Sequence, residues 1–97
     1  MIIIARISFP KKSLTQAVKV YTGLKLLPVD IEMGGPYFKT NGDEVEAITY
    51  YSFLSEVPAD PLKYVNERYE PFESIEGYSG EIARWQGIDE AIHRLTS

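Results

Sequence analysis

Strand-like and helix-like periodicities alternate along the chain, and the first of each stands at its start. The segment Ile2–Phe9 is rich in β-branched residues and ends at Pro10, which predicts a buried strand. A helix follows, because Ser13 is a suitable N-cap and Gln16, three residues later, completes a capping box. Gly23 is the expected C-terminal stop of this helix. Its predicted buried stripe has i, i+3, i+4, i+7 spacing and consists of Leu14, Ala17, Val18 and Tyr21.

A long hairpin is predicted for the middle of the chain. Strict alternation over Val29–Met33 predicts a strand, which Gly34–Pro36 interrupts before Tyr37–Thr40 resumes it. Because proline cannot donate a hydrogen bond to a neighbouring strand, we expect an edge strand with a bulge or kink at the glycines. Asn41-Gly42 predicts a type I′ turn, since both residues tolerate positive φ. The return strand, about Glu44–Leu54, suits the sheet interior.

The second half of the chain repeats the order of helix and strand. Asp60 followed by Pro61 predicts an N-cap with proline at the first helical position. The buried stripe of this helix is predicted as Leu62, Val65, Tyr69 and Phe72. Pro71 predicts a kink or a new short helix. A fourth strand, Tyr78–Gln86, ends at Gly87. A short terminal helix is then expected, with apolar positions Ile88, Ala91, Ile92 and Leu95.

The order β-α-β-β-α-β with a terminal helix predicts an α+β fold, a ferredoxin-like sandwich. Right-handed crossovers and an edge position for the second strand favour the strand order 4-1-3-2. Both main helices then cover one face of a four-stranded antiparallel sheet. Ninety-seven residues fit one such domain, residues 1–97, and leave no room for a second core.

Three segments resemble the dimeric α+β barrel superfamily, which belongs to the ferredoxin-like folds. They are the hairpin Val29–Leu54, the passage Phe72–Tyr78 and the tail Trp85–Leu95, of which the last two are similar to small uncharacterised bacterial proteins of that group. The resemblance implies two sheets packed face to face across a two-fold axis. Relatives include cofactor-independent monooxygenases, lactone isomerases, haem-binding enzymes and regulatory effector domains, so the fold by itself selects none of these functions.

Strand parity predicts which side of the sheet lies under the helices. The more apolar sets are Ile3, Ala5, Ile7 and Phe9 on the first strand and Val45, Ala47, Thr49, Tyr51 and Phe53 on the third. The opposite face is apolar too, through Ile2, Ile4, Ile48, Tyr50 and Leu54. Monomers rarely expose such a patch, so we expect a homodimer that covers it. The alternative is a monomer whose tail folds over that face.

Arg6 lies in the middle of this second face. A lone buried guanidinium is costly, so an ion pair with Glu46 or Glu81 is one interpretation. The other is that Arg6 orients an anionic ligand beside Tyr50 and Trp85, and the parity of the fourth strand places Trp85 on that face. The candidate ligand-binding residues are therefore Arg6, Tyr37, Tyr50 and Trp85.

Composition removes several kinds of site. A net charge of −4 disfavours nucleic-acid binding. Without cysteine, and with His93 as the only histidine, we expect no transition-metal site, no haem and no other cofactor. The apolar start meets Arg6 too early for a membrane span or signal peptide, so we expect a cytoplasmic protein with no membrane association.

Three functions remain open from the sequence. The first is a homodimeric small-molecule-binding or regulatory module of unknown ligand. The second is a cofactor-independent monooxygenase or isomerase, in which Arg6, Tyr37, Tyr50 and Trp85 polarise and stack a small aromatic or lactone substrate and no residue is a convincing base. The third is a structural or protein-interaction domain.

Overall fold

A computed structural model of the protein describes residues 1–55 and 58–96. The strands are β1 (Ile2–Pro10), β2 (Ile31–Asn41), β3 (Glu44–Phe53) and β4 (Ser79–Trp85). The α-helices are α1 (Leu14–Gly23), α2 (Pro61–Arg68) and α3 (Ile88–Thr96). A 3₁₀ turn, Lys11–Ser13, precedes α1, and another, Glu70–Ser74, follows α2. The predicted order of strands and helices, including the terminal helix, is confirmed.

The four strands form one antiparallel sheet in the order β2-β3-β1-β4, which is 4-1-3-2 counted from the β4 edge. The predicted edge position of β2 is confirmed. It begins two residues later than the alternating pattern indicated, at Ile31, and Val29 is almost fully exposed. Ile31 is buried because it pairs with Phe53 on β3, whereas Val29 precedes the first strand pair.

The hydrophobic core lies between the sheet and the layer formed by α1, α2 and the second 3₁₀ turn. The strand residues that parity assigned to this side are all buried: Ile3, Ala5, Ile7, Phe9, Val45, Ala47, Thr49, Tyr51 and Phe53. The helical layer contributes Ala17, Val65, Tyr69 and Phe72. Leu62 lies at the margin with 37% exposed, so the buried stripe of α2 begins at Val65 rather than at Leu62.

The buried stripe of α1 differs from the prediction. Leu14 and Val18 are 44% and 49% exposed, whereas Ser13 and Ala17 are buried. The predicted capping box is also wrong, because Ser13 stands at the N-cap position without a side-chain cap. Its hydroxyl instead donates to the carbonyl oxygen of Glu76, at 3.0 Å. This long-range bond fixes the start of α1 so that its small side chains face the core.

The β2–β3 turn is shifted by one residue from the predicted position. Asn41 pairs with Glu44, so the two-residue loop is Gly42-Asp43. Only Gly42 has positive φ, at 62°, and Asn41 stays in the strand. The predicted type I′ turn at Asn41-Gly42 is therefore wrong, because that turn needs positive φ at both of its central residues.

The beginning and end of the second helical segment follow the prediction. The carboxylate of Asp60 accepts the backbone N–H of Lys63 at 3.1 Å, and Pro61 occupies the first turn of α2. Pro71 lies at the start of the 3₁₀ turn, the predicted new short helix.

In α3 the apolar residues Ile88 and Ile92 are 76% and 52% exposed. The side chain of Leu95, predicted to extend that stripe, lies outside the described residues.

Candidate functional site

The side of the sheet turned away from α1 and α2 is called here the open face. Antiparallel pairing arranges its side chains in four transverse rungs, because paired residues project to the same side. The first two rungs, in the order β2-β3-β1-β4, are Glu32, Ser52, Ile2, Trp85 and then Gly34, Tyr50, Ile4, Ala83. The last two are Tyr37, Ile48, Arg6, Glu81 and then Lys39, Glu46, Ser8, Ser79.

A bulge in β2 places Tyr37 on the open face. Gly34 pairs with Tyr50 and Tyr37 with Ile48, so three steps along β2 match two along β3. Uninterrupted alternation would have turned Tyr37 toward the helices. Gly35 sits in the bulge with φ +94°, and a Cβ there would lie 2.8 Å from the carbonyl oxygen of Ile48. The bulge predicted from the glycines is confirmed, and it brings the Tyr37 ring to 6.3 Å from that of Tyr50, edge to face.

The pairing of β4 with β1 is continuous from Ser79 to Trp85, with no register shift at Gly80. Trp85 therefore lies on the open face, as parity predicted. The open face carries a concavity of about 720 Å³ that is open to solvent. All four candidate residues, Arg6, Tyr37, Tyr50 and Trp85, line this one concavity.

The open face has an apolar half, which consists of Ile2, Ile4, Tyr50, Trp85 and Tyr37, and a polar half around Arg6. In the first two rungs Ile2, Tyr50 and Trp85 are 36%, 40% and 48% exposed, and Tyr37 beside them is 60% exposed. The adjoining residue beyond β3, Leu54, is also 60% exposed. Described residues of α3 do not cover these side chains, so the predicted apolar patch is present and uncovered.

Arg6 has no ion pair with any residue of the described segments, so the predicted pair with Glu46 or Glu81 is wrong. The carboxylate of Glu46 is held by Lys39 at 3.2 Å. Glu81 stands opposite Arg6 on β4 but outside ion-pair distance. Arg6 is exposed rather than buried, so the desolvation cost that motivated the predicted pair does not arise.

Two serines complete the polar half, and the sequence analysis did not single them out. Ser8 and Ser79 pair directly across β1 and β4, one rung beyond Arg6. Neither hydroxyl forms a hydrogen bond with a residue in the described parts of the chain. The signal that identifies Ser8 is the parity already used for Arg6, since residues i and i+2 of a strand share a face.

The opposite side of the sheet carries a buried cluster of tyrosines. The hydroxyls of Tyr51 and Tyr69 are 2.8 Å apart, and the hydroxyl of Tyr21 is buried with no described partner. Burial raises the pKa of Tyr21, Tyr69 and Tyr78 above the ordinary value of 10.0. Tyr69 is 2% exposed, so this cluster belongs to the core and not to a surface site.

The described segments contain no group of three or more His, Cys, Asp or Glu side chains placed to hold a metal ion. None of the helices described has both the length and the apolar character needed to cross a bilayer. His93 lies on the exposed helix α3, away from the residues that line the concavity.

Comparison with known proteins gives little information on this site. The chain matches no protein-family profile. It matches no curated protein. Among solved structures, the de novo designed protein Foldit4 aligns over 88% of this chain and 97% of its own, with 10% identity and a TM-score of 0.45. This likeness carries no argument about function.

Proposed function

We propose that the protein is a homodimeric small-molecule-binding module of the ferredoxin-like, dimeric α+β barrel type. In this proposal the open faces of two copies turn toward each other, and the ligand lies in the space between them. The observation that carries the proposal is the open face itself, a 720 Å³ concavity whose apolar side chains are not covered by the chain's own helices.

The exposed apolar side chains support the dimer. Ile2, Tyr50, Trp85 and Tyr37 are contiguous across neighbouring rungs and are 36–60% exposed. Contiguous apolar surface of this kind on a soluble domain marks an interaction site. Isologous pairing about a two-fold axis is the commonest way for a chain to cover such a face with itself.

The mixture of groups supports a ligand between the copies. Binding sites for small molecules combine an apolar, aromatic lining with a few polar groups that fix orientation. The open face has that composition, with aromatic rings around Tyr50 and an unpaired guanidinium at Arg6. A face that served only to hold two sheets together would gain nothing from an unpaired cation at its centre.

Sedimentation velocity on two matched variants tests the dimer. Tyr50 is 40% exposed on the open face, and Val18 is 49% exposed on α1, on the other side of the molecule. We expect the wild type and Val18→Glu to sediment as dimers and Tyr50→Glu to sediment as the 11.0 kDa monomer. If both variants remain dimeric, the open face is not the interface. If the wild type is a monomer, the proposed assembly is wrong.

A further inference from the structure

We infer that the ligand of the open face is an aromatic monocarboxylate, with its ring on the apolar half and its carboxylate on Arg6. This inference rests on the proposed function and names the chemical class that the face would select. The open face provides a stacking surface and an anion-binding group within one concavity, at the spacing of adjacent rungs.

The apolar half favours a flat ring. The rings of Tyr37 and Tyr50 are 6.3 Å apart at an interplanar angle of 64°, so they form two walls of a corner. Trp85 stands across the face from this corner, on β4. Aromatic pairs gain energy beyond the burial of area when a further ring packs edge-on or offset against them.

The polar half favours an anion at the end of that ring. Arg6 lies one rung from Tyr50 and Ile4. When a ligand ring packs over the second rung, a substituent on that ring is within reach of the guanidinium. The hydroxyls of Ser8 and Ser79 lie one rung farther and have free donors among the described residues. A guanidinium binds a carboxylate through two parallel hydrogen bonds, and hydroxyls can satisfy its remaining lone pairs. Lys39 is not available for this role because it holds Glu46.

The acidic residues of the same half limit the charge of the ligand. Glu46 and Glu81 both line the concavity, and the carboxylate of Glu81 has no described cation within ion-pair distance. Lys39 and Glu46 neutralise each other, so among the described residues that line the concavity Arg6 is the free cation and Glu81 the free anion. The guanidinium of Arg6 can neutralise the single charge of a carboxylate, whereas the second charge of a phosphate monoester would stay uncompensated beside Glu81. The class is therefore a monocarboxylate rather than a phosphate ester.

Isothermal titration calorimetry with three probes tests this assignment on the full chain. The probes are 2-naphthoate, its neutral isostere 2-naphthamide, and 2-naphthyl phosphate. We expect naphthoate to bind at least ~10-fold more tightly than naphthamide, because the two differ in the charge that meets Arg6. Naphthyl phosphate should bind more weakly than naphthoate.

Three variants test whether the preference for naphthoate comes from the guanidinium. Arg6→Gln should bring the naphthoate-to-naphthamide ratio to about 1 or below and weaken naphthamide binding much less than naphthoate binding, since the aromatic surface is intact and only the carboxylate loses an ion pair. Lys39→Gln is the matched control and should keep the wild-type ratio, because Lys39 is already paired with Glu46. Glu81→Gln should strengthen naphthoate binding and narrow the gap to naphthyl phosphate.

Equal binding of naphthoate and naphthamide by the wild type would overturn the assignment, as would a ratio that Arg6→Gln leaves unchanged. Either result leaves the proposed function standing, because naphthamide binding reports the ligand site independently of charge. Binding of no probe by a dimeric wild type would overturn the ligand class and favour an interface filled by the second copy. Oligomeric state, measured on the same samples, separates these outcomes from failure of the dimer.

Discussion

Both faces of the sheet carry large side chains, but the chain's own helices cover only one of these faces. On the helix side every strand residue from Ile3 to Phe9 that points inward is at most 3% exposed. On the open face of the same strand, Ile2 and Arg6 are exposed, and Ile4 and Ser8 are half-buried. One side of β1 therefore belongs to the packed core, and the other side contributes to an exposed surface that is partly apolar.

The chain covers the helix side of the sheet with its own helices and turns and leaves the open face without such a cover. The second 3₁₀ turn inserts Phe72 among the rings of Tyr21, Tyr69 and Tyr78, at centroid distances of 4.7–6.2 Å. No described element plays this role on the open face. A helix with exposed apolar residues, α3, follows directly after Trp85, yet its Ile88 and Ile92 are exposed as well. Both the open face and α3 therefore have exposed apolar side chains.

The largest expected effect comes from removing the ring at the centre of the helix side. Phe72 is 0% exposed, so Phe72→Ala should lower the free energy of unfolding by about 3–5 kcal/mol. Trp85→Ala, on the open face, should cost about 1 kcal/mol or less at concentrations where association does not contribute. Urea unfolding followed by far-ultraviolet circular dichroism measures both. Equal losses would remove the distinction between a packed and an uncovered face.

Alkaline pH should destabilise the helix side of the sheet, where the buried tyrosines lie. The raised pKa of Tyr69, caused first by burial and then by Tyr51, means that the folded chain keeps a proton which the unfolded chain loses above its ordinary value of 10.0. Stability is therefore complete below pH 10 and falls as the pH rises. The loss caused by Tyr69 cannot exceed that of one proton, about 1 kcal/mol per pH unit. Denaturant midpoints at each pH measure this slope, and Tyr69→Phe should reduce it.

The bulge connects the two faces, so a change there should affect both. At φ +94° an alanine in place of Gly35 is strained, and its Cβ meets the Ile48 carbonyl. Gly35→Ala should cost about 2 kcal/mol and displace Tyr37 from Tyr50. Gly23→Ala is the control, since nothing lies within 4 Å of its Cβ position and its φ is not positive. Loss of stability in the control but not at Gly35 would show that the bulge does not depend on glycine.

The smallest effects distinguish hydroxyl groups within the buried cluster. Tyr69→Phe removes the bond to the Tyr51 hydroxyl and should cost about 1 kcal/mol. Tyr21→Phe removes a buried hydroxyl with no described partner, so stability should stay the same or rise. Thermal unfolding of the two variants measures the contrast. A larger loss from Tyr21→Phe would indicate that its hydroxyl is bonded, for example to an ordered water.

Elements set by local patterns could be predicted from the sequence. The strand parity of β1 and β3, the Asp60 cap, the 3₁₀ turn at Pro71 and the bulge at the glycines follow from period, capping and backbone chemistry. The burial of Ser13 could not be predicted. It depends on a bond to Glu76, 63 residues away, and no local pattern contains that contact.

For the candidate site, the sequence predicts which residues share a face but not the contacts of Arg6. Parity brought Arg6, Tyr50 and Trp85 to one face, since each lies in a strand with regular alternation. The partner of Arg6 was predicted wrongly, because sequence position does not show that Lys39 reaches Glu46 first. Nor does the sequence show that Arg6 stays exposed.

The central claim is that a second copy covers the open face, and Trp85 reports on that face directly. It is the only tryptophan in the chain and is 48% exposed in the isolated chain. Acrylamide quenching of its fluorescence, measured from micromolar to nanomolar protein with light scattering at the upper end, follows its accessibility. The account predicts protection and a dimeric mass at high concentration, with quenching that increases on dilution. Strong quenching at every concentration, with a mass of 11.0 kDa, would contradict it.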